Sequence, residues 1–136
     1  MALDVALLRS SFNLVVERQP NLVHRFYELF FSQHPEAKAL FSRNSQPAQE
    51  RMVTEALIAV MEHLENAPWL ASTLKALGAK HHAYGVTDEM YGWVGASLLA
   101  TLAEVAGPDW SPKHEAAWTE AYGAIAGLMK SGSAAA

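Results

Sequence analysis

Cysteine is absent, and that one absence excludes disulfides, thiolate metal centres and cysteine nucleophiles. It also suits a reducing compartment, so a cytoplasmic location is expected. No stretch approaches the roughly 18 consecutive apolar residues that a bilayer-spanning helix needs. The amino terminus, MALDVALLRS, has no basic region followed by a long apolar run, so no secretory signal is read there. Basic residues are also sparse: ten Lys and Arg stand against fourteen Asp and Glu, for a net charge of −4. They are scattered along the chain, which gives no electrostatic reason to expect nucleic acid or an anionic membrane as a partner. No segment alternates with period two and no internal repeat is visible, so neither a sheet nor a solenoid is expected. What is there is a chain of 136 residues, 51% apolar, long enough for one domain with a core of its own.

The apolar residues recur at helical spacing nearly throughout. Asp4 is placed to cap a first helix in which Val5, Leu8, Phe12 and Val15 face inward until Pro20. A second begins at Pro20 or Asn21 and buries Val23, Phe26, Tyr27, Phe30 and Phe31. It stops at His34, because the residue before a proline resists the helical region. Pro35 opens a short third helix ending at Phe41. The polar stretch SRNSQPAQ (42–49) reads as a loop into a helix from about Pro47 to Glu65, with Val53, Ala56, Leu57, Val60 and Leu64 inward. Asn66-Ala67-Pro68 separates it from a helix that ends near Gly85. Thr87 or Asp88 then opens a long helix with Met90, Tyr91, Val94, Leu98, Leu102 and Val105 inward, closed by Gly107-Pro108. Ser111-Pro112 starts the last helix, whose inner residues are Ala117, Ala121, Tyr122, Ile125 and Leu128. The small residues after Lys130 read as a flexible tail (131–136), leaving residues 1–130 as the domain. The expected architecture is all-α, six to eight helices packed around one core.

Leu70, Leu74, Leu77 and His81 fall on one line of the helix that ends near Gly85. The line closes on an imidazole instead of another aliphatic group. A histidine so placed faces the interior, where both ring nitrogens need partners. Iron is one such partner, because a haem is commonly held by a single proximal histidine. His82 points about 100° away, toward the side that carries Lys75. Taken alone, such a stripe ends more often in a hydrogen-bonded core histidine than in a ligand. Two further polar groups raise the same question. Tyr27 lies among aromatic residues, and its hydroxyl needs a partner if the ring is buried. Gln49 lies one turn before Val53, on the face shared with Ala56 and Val60, so its amide looks toward the core or a cavity. Aromatics at helical spacing are more often plain core, and a glutamine at a helix start is more often solvated.

Segments in sequence order then carry a family pattern: LVHRFYELFFSQHPEAKALF (22–41), AQERMVTEALIAVMEHLEN (48–66), LGAKHHAYGV (77–86), and finally YGWVGASLLATLAEVAGPDW (91–110) with AAWTEAYGAIAGLM (116–129). Together they resemble the globin family, specifically bacterial single-domain globins similar to the haem domain of flavohaemoglobins. The resemblance covers residues 4 to about 130, and SLL and AAWTEAYGA are also similar to neuroglobin-type sequences. It implies a globin fold with haem b (iron protoporphyrin IX) as cofactor. On that basis His81 matches the proximal iron ligand and Phe41 the phenylalanine wedged against the haem. Tyr27 matches the distal tyrosine, Gln49 the distal glutamine, and Val53 the apolar residue one turn further along the distal helix. Tyr91 matches the tyrosine beside the proximal histidine, and Val94 an apolar contact on the proximal side. Trp93 is read as a packing or surface residue. His63 lies roughly 20 Å along its helix from Gln49 and cannot reach the same iron, while His24, His34 and His114 are read as solvated.

Two departures from flavohaemoglobins matter. Their proximal histidine and tyrosine are completed by a glutamate near the end of the last helix, whereas here the last carboxylate is Glu120. A weaker electronic push on the iron is therefore expected. The chain also has no Gly-rich dinucleotide fingerprint, so redox turnover is expected to draw on a separate reductase. The resemblance implies dioxygen, nitric oxide and carbon monoxide as ligands, a Tyr/Gln distal pocket of high oxygen affinity, and an open or weakly liganded sixth site. Reversible oxygen binding and nitric oxide dioxygenation use the same residues and are not separated by the sequence. A haem-based gas sensor acting through a partner, or a non-haem helical interaction domain, would be the readings from other classes.

Overall fold

The computed structural model describes residues 4–41 and 46–135, with the side chains of residues 40, 41, 46 and 133–135 outside the description. Six α-helices follow in order: α1 (Val5–Arg18), α2 (Leu22–Gln33), α3 (Gln46–Glu62), α4 (Ala67–Ala83), α5 (Asp88–Ala106) and α6 (Pro112–Ala135). Short 3-10 segments, Pro35–Phe41 and Gly107–Asp109, follow α2 and α5. The described residues hold no strand, and none of their helices is long and apolar enough to cross a membrane.

Local chemistry sets the helix ends. The Asp4 carboxylate accepts from the Leu7 amide at 3.2 Å, and Asn66 accepts from the Trp69 amide at 3.1 Å, each satisfying a first-turn N–H. Gly107 closes α5 at φ +55° and Gly85 turns the chain after α4 at φ +96°, backbone conformations that side chains with a Cβ resist. Arg18 reaches from the end of α1 to the Ala106 carbonyl (2.7 Å) and to Asp109, so one side chain occupies an acceptor that α5 leaves open at its C-terminus.

Two apolar clusters form the interior. The larger joins Leu8, Phe12 and Val15 of α1 with Val60, Met61 and Leu64 at the end of α3, Leu74 of α4, Tyr91, Leu102 and Ala106 of α5, and Trp118, Ala121, Ala126 and Met129 of α6. The smaller is built on α2 from Val23, Phe26, Tyr27 and Phe30 with Ala37, and Val53, Trp93 and Val94 pack against it. Leu57 and Leu98 border both clusters, so α3 and α5 span the seam between them. The buried indole of Trp118 is held by a polar relay, Trp118 Nε1–H donating to Ser11 Oγ (2.9 Å), which donates to the Leu7 carbonyl (2.7 Å).

The tightest packing lies between α4 and α6. A Cβ on Gly78 would overlap the Met129 carbonyl, and one on Gly132 would overlap that of Lys75. As one helix steps back three residues the other steps forward three, so the pair is antiparallel and touches backbone to backbone. This explains where the sequence reading of α6 falls short. The helix does not end at Lys130 but runs on to Ala135, and the small residues read as a tail include the buried Gly132 that seats it. Ala56 is a second correction: it is exposed, and the inward side of α3 is carried by Val53, Leu57, Val60 and Met61, with Leu64 buried just beyond its end.

Candidate functional site

The stripe on α4 leads to His81. Leu74 is 2% exposed, and Leu70, Leu77 and His81 are half-buried. His81 Nδ1 stands 2.8 Å from the Leu77 carbonyl oxygen one turn earlier. A carbonyl only accepts, so Nδ1 carries the proton and Nε2 presents its lone pair. Nε2 has no hydrogen bond among the described residues. The chain then turns sharply: the amides of Tyr84 and Val86 both donate to the His81 carbonyl at 3.1 and 3.0 Å, which fixes the backbone that carries the ring.

The other histidines set His81 apart. His63 also donates through Nδ1 to a carbonyl one turn back (Ala59, 2.7 Å), but its ring is covered by Trp69 at 3.8 Å, stacked within 9°. His34 stacks on Trp93 at 4.4 Å and faces Glu36 at 3.4 Å. His114 takes the Ser111 cap and lies on Trp110, and His24 meets Glu50 at 2.8 Å. The three histidines read as solvated are therefore engaged. Glu50 and Trp93 sit on other helices, where no spacing rule reveals them, whereas Ser111 lies three residues before His114, at the spacing of a capping pair.

Tyr91, on α5, is buried, and its backbone carbonyl accepts from the Tyr122 hydroxyl at 2.6 Å. The Tyr122 ring lies where a side chain on residue 95 would be, so Gly95 allows α6 to lock this part of α5. Burial pushes the Tyr122 hydroxyl well above the usual tyrosine range, with the neighbouring Tyr91 phenol as a lesser electrostatic cause. Lys130 Nζ stands 5.7 Å from the centre of the Tyr91 ring, within reach of a cation–π contact. Sequence reasoning missed both Tyr122 and Lys130 as neighbours of Tyr91.

Tyr27 is 2% exposed and lies between the rings of Phe26 (5.2 Å) and Phe31 (5.4 Å). Burial, with the negative charge of Glu50 as a lesser cause, pushes its hydroxyl up to about 12. It is therefore a phenol, a donor, throughout the neutral range. Gln49 is half-buried near the start of α3. Tyr27, Val53 and Val94 come together in one apolar cluster, whereas Tyr91 belongs to the other. The Phe41 side chain lies outside the described residues.

No group of three or more His, Cys, Asp or Glu that could hold a metal occurs among the described residues. A lone imidazole with its lone pair presented is a sufficient protein ligand for a metal whose other ligands come with a macrocycle. The donor set thus fits an iron porphyrin better than a metal held by side chains alone.

The sequence matches the globin family over residues 24–129. The chain belongs to the globin family. This globin is 34% identical over 125 residues to a flavohaemoprotein of Bacillus anthracis, matching 90% of this chain and 30% of that one. It is 32% identical over 120 residues to a flavohaemoprotein of Vibrio cholerae, matching 87% of this chain and again 30% of the relative. It therefore spans about a third of the length of those relatives, within their haem domain. Among solved structures it resembles an engineered carbene transferase made from a candidate nitric oxide dioxygenase of Rhodothermus marinus, with TM-score 0.82, 26% identity, and 96% and 90% of the two chains covered. A bacterial globin from Campylobacter jejuni shares the fold at TM-score 0.80 and 24% identity, covering 95% and 93%.

Proposed function

We propose that this globin holds haem b (iron protoporphyrin IX) through His81 and binds dioxygen reversibly, with Tyr27 and Gln49 as donors to the gas. The observation that carries the reading is the His81 tautomer, since the Leu77 carbonyl takes the Nδ1 proton and leaves Nε2 as a base. When bound, haem supplies a ferrous iron that takes dioxygen, carbon monoxide or nitric oxide. All else falls to the chain.

The Leu77 bond orients the imidazole and raises its basicity as a ligand. Val53, Val94, Leu57 and Leu98 supply apolar surface that excludes water, and donors act more strongly in such surroundings. With haem in place, the protonated Tyr27 hydroxyl and the Gln49 amide N–H would donate hydrogen bonds to the gas. Each bond slows release by about tenfold, or about 1–2 kcal/mol. Phe41 is assigned to the wedge against the haem on family resemblance alone.

The proximal side favours reversible binding. Lys130 of α6 stands over the Tyr91 ring, and the last carboxylate of the sequence is Glu120, whereas flavohaemoglobins carry a glutamate near the end of their last helix. Without that carboxylate the proximal ligand donates electrons less strongly, the reverse of what oxygen activation needs. Nitric oxide dioxygenation is the second activity we assign, with electrons from a reductase, and the likeness to the candidate nitric oxide dioxygenase of Rhodothermus marinus supports it. Nitric oxide consumption with a supplied reductase tests it. Turnover well above that of free haem is expected, and a rate no better than free haem would remove the enzymatic half of the proposal.

A further inference from the structure

Glu50 follows Gln49 on α3, and His24 lies one turn before Tyr27 on α2. The two meet across the helices, His24 Nδ1 lying 2.8 Å from Glu50 Oε2. The contact stands beside both candidate gas donors, in the first turns of α3, a helix with no fully buried residue over 47–59. We propose that the His24–Glu50 pair is a positioning element that holds the first turns of α3 against α2 and couples gas retention to the charge on His24. This rests on the reading of Tyr27 and Gln49 as donors.

The chemistry favours a charged pair. The Glu50 carboxylate is mostly covered, at 21% side-chain exposure against 50% for His24, and a partly covered carboxylate needs a donor. Imidazolium supplies one, and a hydrogen bond between ions is stronger than one from a neutral ring. The Glu50 hydrogen bond, followed by its charge, raises the His24 pKa above the ordinary value; desolvation opposes this, and Glu28 on the same helix adds to it. Arg25, the next cation on α2, is turned to Glu104 on α5 and to Glu28. The same Glu50 charge contributes to keeping Tyr27 protonated.

The direction of the pH effect follows. A histidine raised by its partner gives its full contribution below the unperturbed value and loses it as pH rises through the raised one. Gas release from the holoprotein is therefore slow in mild acid and quickens as pH passes through the range just above histidine's ordinary titration. This window is separate from that of Tyr27, which opens only in strong alkali.

The test is stopped-flow dioxygen dissociation from the reduced holoprotein between about pH 6 and about pH 9. The wild type is expected to release gas faster at the alkaline end, by roughly threefold or more. His24→Gln and Glu50→Gln are expected to be fast at both ends, with a flat profile. His24→Lys, which keeps a cation at every pH tested, is expected to stay slow and equally flat. Tyr27→Phe is measured alongside. If it does not quicken release, the donor reading itself falls. If it does, while His24→Gln and Glu50→Gln keep the wild-type rate and profile, the positioning role alone is overturned.

Discussion

The two helices that flank the candidate site are held in opposite ways. α4 lies on α6 backbone to backbone, through glycines that leave no room for a Cβ at two successive crossings. α3 is anchored at its far end, where Val60, Met61 and Leu64 are buried and Arg9 reaches the Met61 carbonyl (3.1 Å) and Glu65 (2.9 Å). Its near end, which carries Gln49, exposes Met52 at 47%. The difference matches the two tasks assigned here. A metal ligand must keep its geometry whatever gas is present, so it belongs on an element fixed by packed backbone. A gas donor sets an affinity, and Gln49 sits where α3 is held by a few adjustable side-chain contacts.

The comparison can be broken most forcefully at the glycines. Gly78→Ala drives a methyl group into the Met129 backbone and is expected to destabilise the protein by about 2–3 kcal/mol. Ala56→Gln on the exposed side of α3 should change stability by no more than about 0.5 kcal/mol. Equal urea midpoints for the two variants would contradict the contrast between the helices. Next in size, Tyr27→Phe and Gln49→Leu are each expected to quicken dioxygen dissociation by roughly tenfold. If neither variant quickens release severalfold, the distal side of the site is misassigned. Removing the far-end anchor with Arg9→Ala is expected to cost about 1 kcal/mol, and thermal denaturation of the holoprotein reads it. The smallest effect is in alkali. Tyr27 titrates near 12 when folded, above its usual 10, so its contribution to stability is complete below the lower value and fades between the two. Tyr27→Phe should reduce the alkaline slope of stability, with Tyr122 retaining part of it.

Much of the fold was legible because helices announce themselves locally. Asp4, Asn66-Ala67-Pro68 and Gly107-Pro108 mark boundaries by chemistry that acts within a turn, and the Leu70–Leu74–Leu77–His81 line singles out one histidine of six. The family pattern then pointed to Tyr27 and Gln49, which no periodicity could have distinguished from core or solvated residues. What escaped the sequence is what depends on two distant segments meeting. SGSAA after Lys130 looks like a frayed end, yet its glycine is what admits the Lys75 backbone. His24 and Glu50, or Lys130 and Tyr91, become neighbours only through the crossing of helices, and nothing in their own surroundings foretells it.

The central claim is that His81 alone attaches this protein to its iron, and electronic spectra of the ferric, deoxy-ferrous and carbon monoxide forms test it most directly. The purified protein is expected to carry porphyrin with a five-coordinate ferrous spectrum. His81→Ala is expected to lose that signature and recover it when imidazole is added. A His81→Ala protein that keeps its porphyrin and the unaltered five-coordinate spectrum without added imidazole would contradict the account.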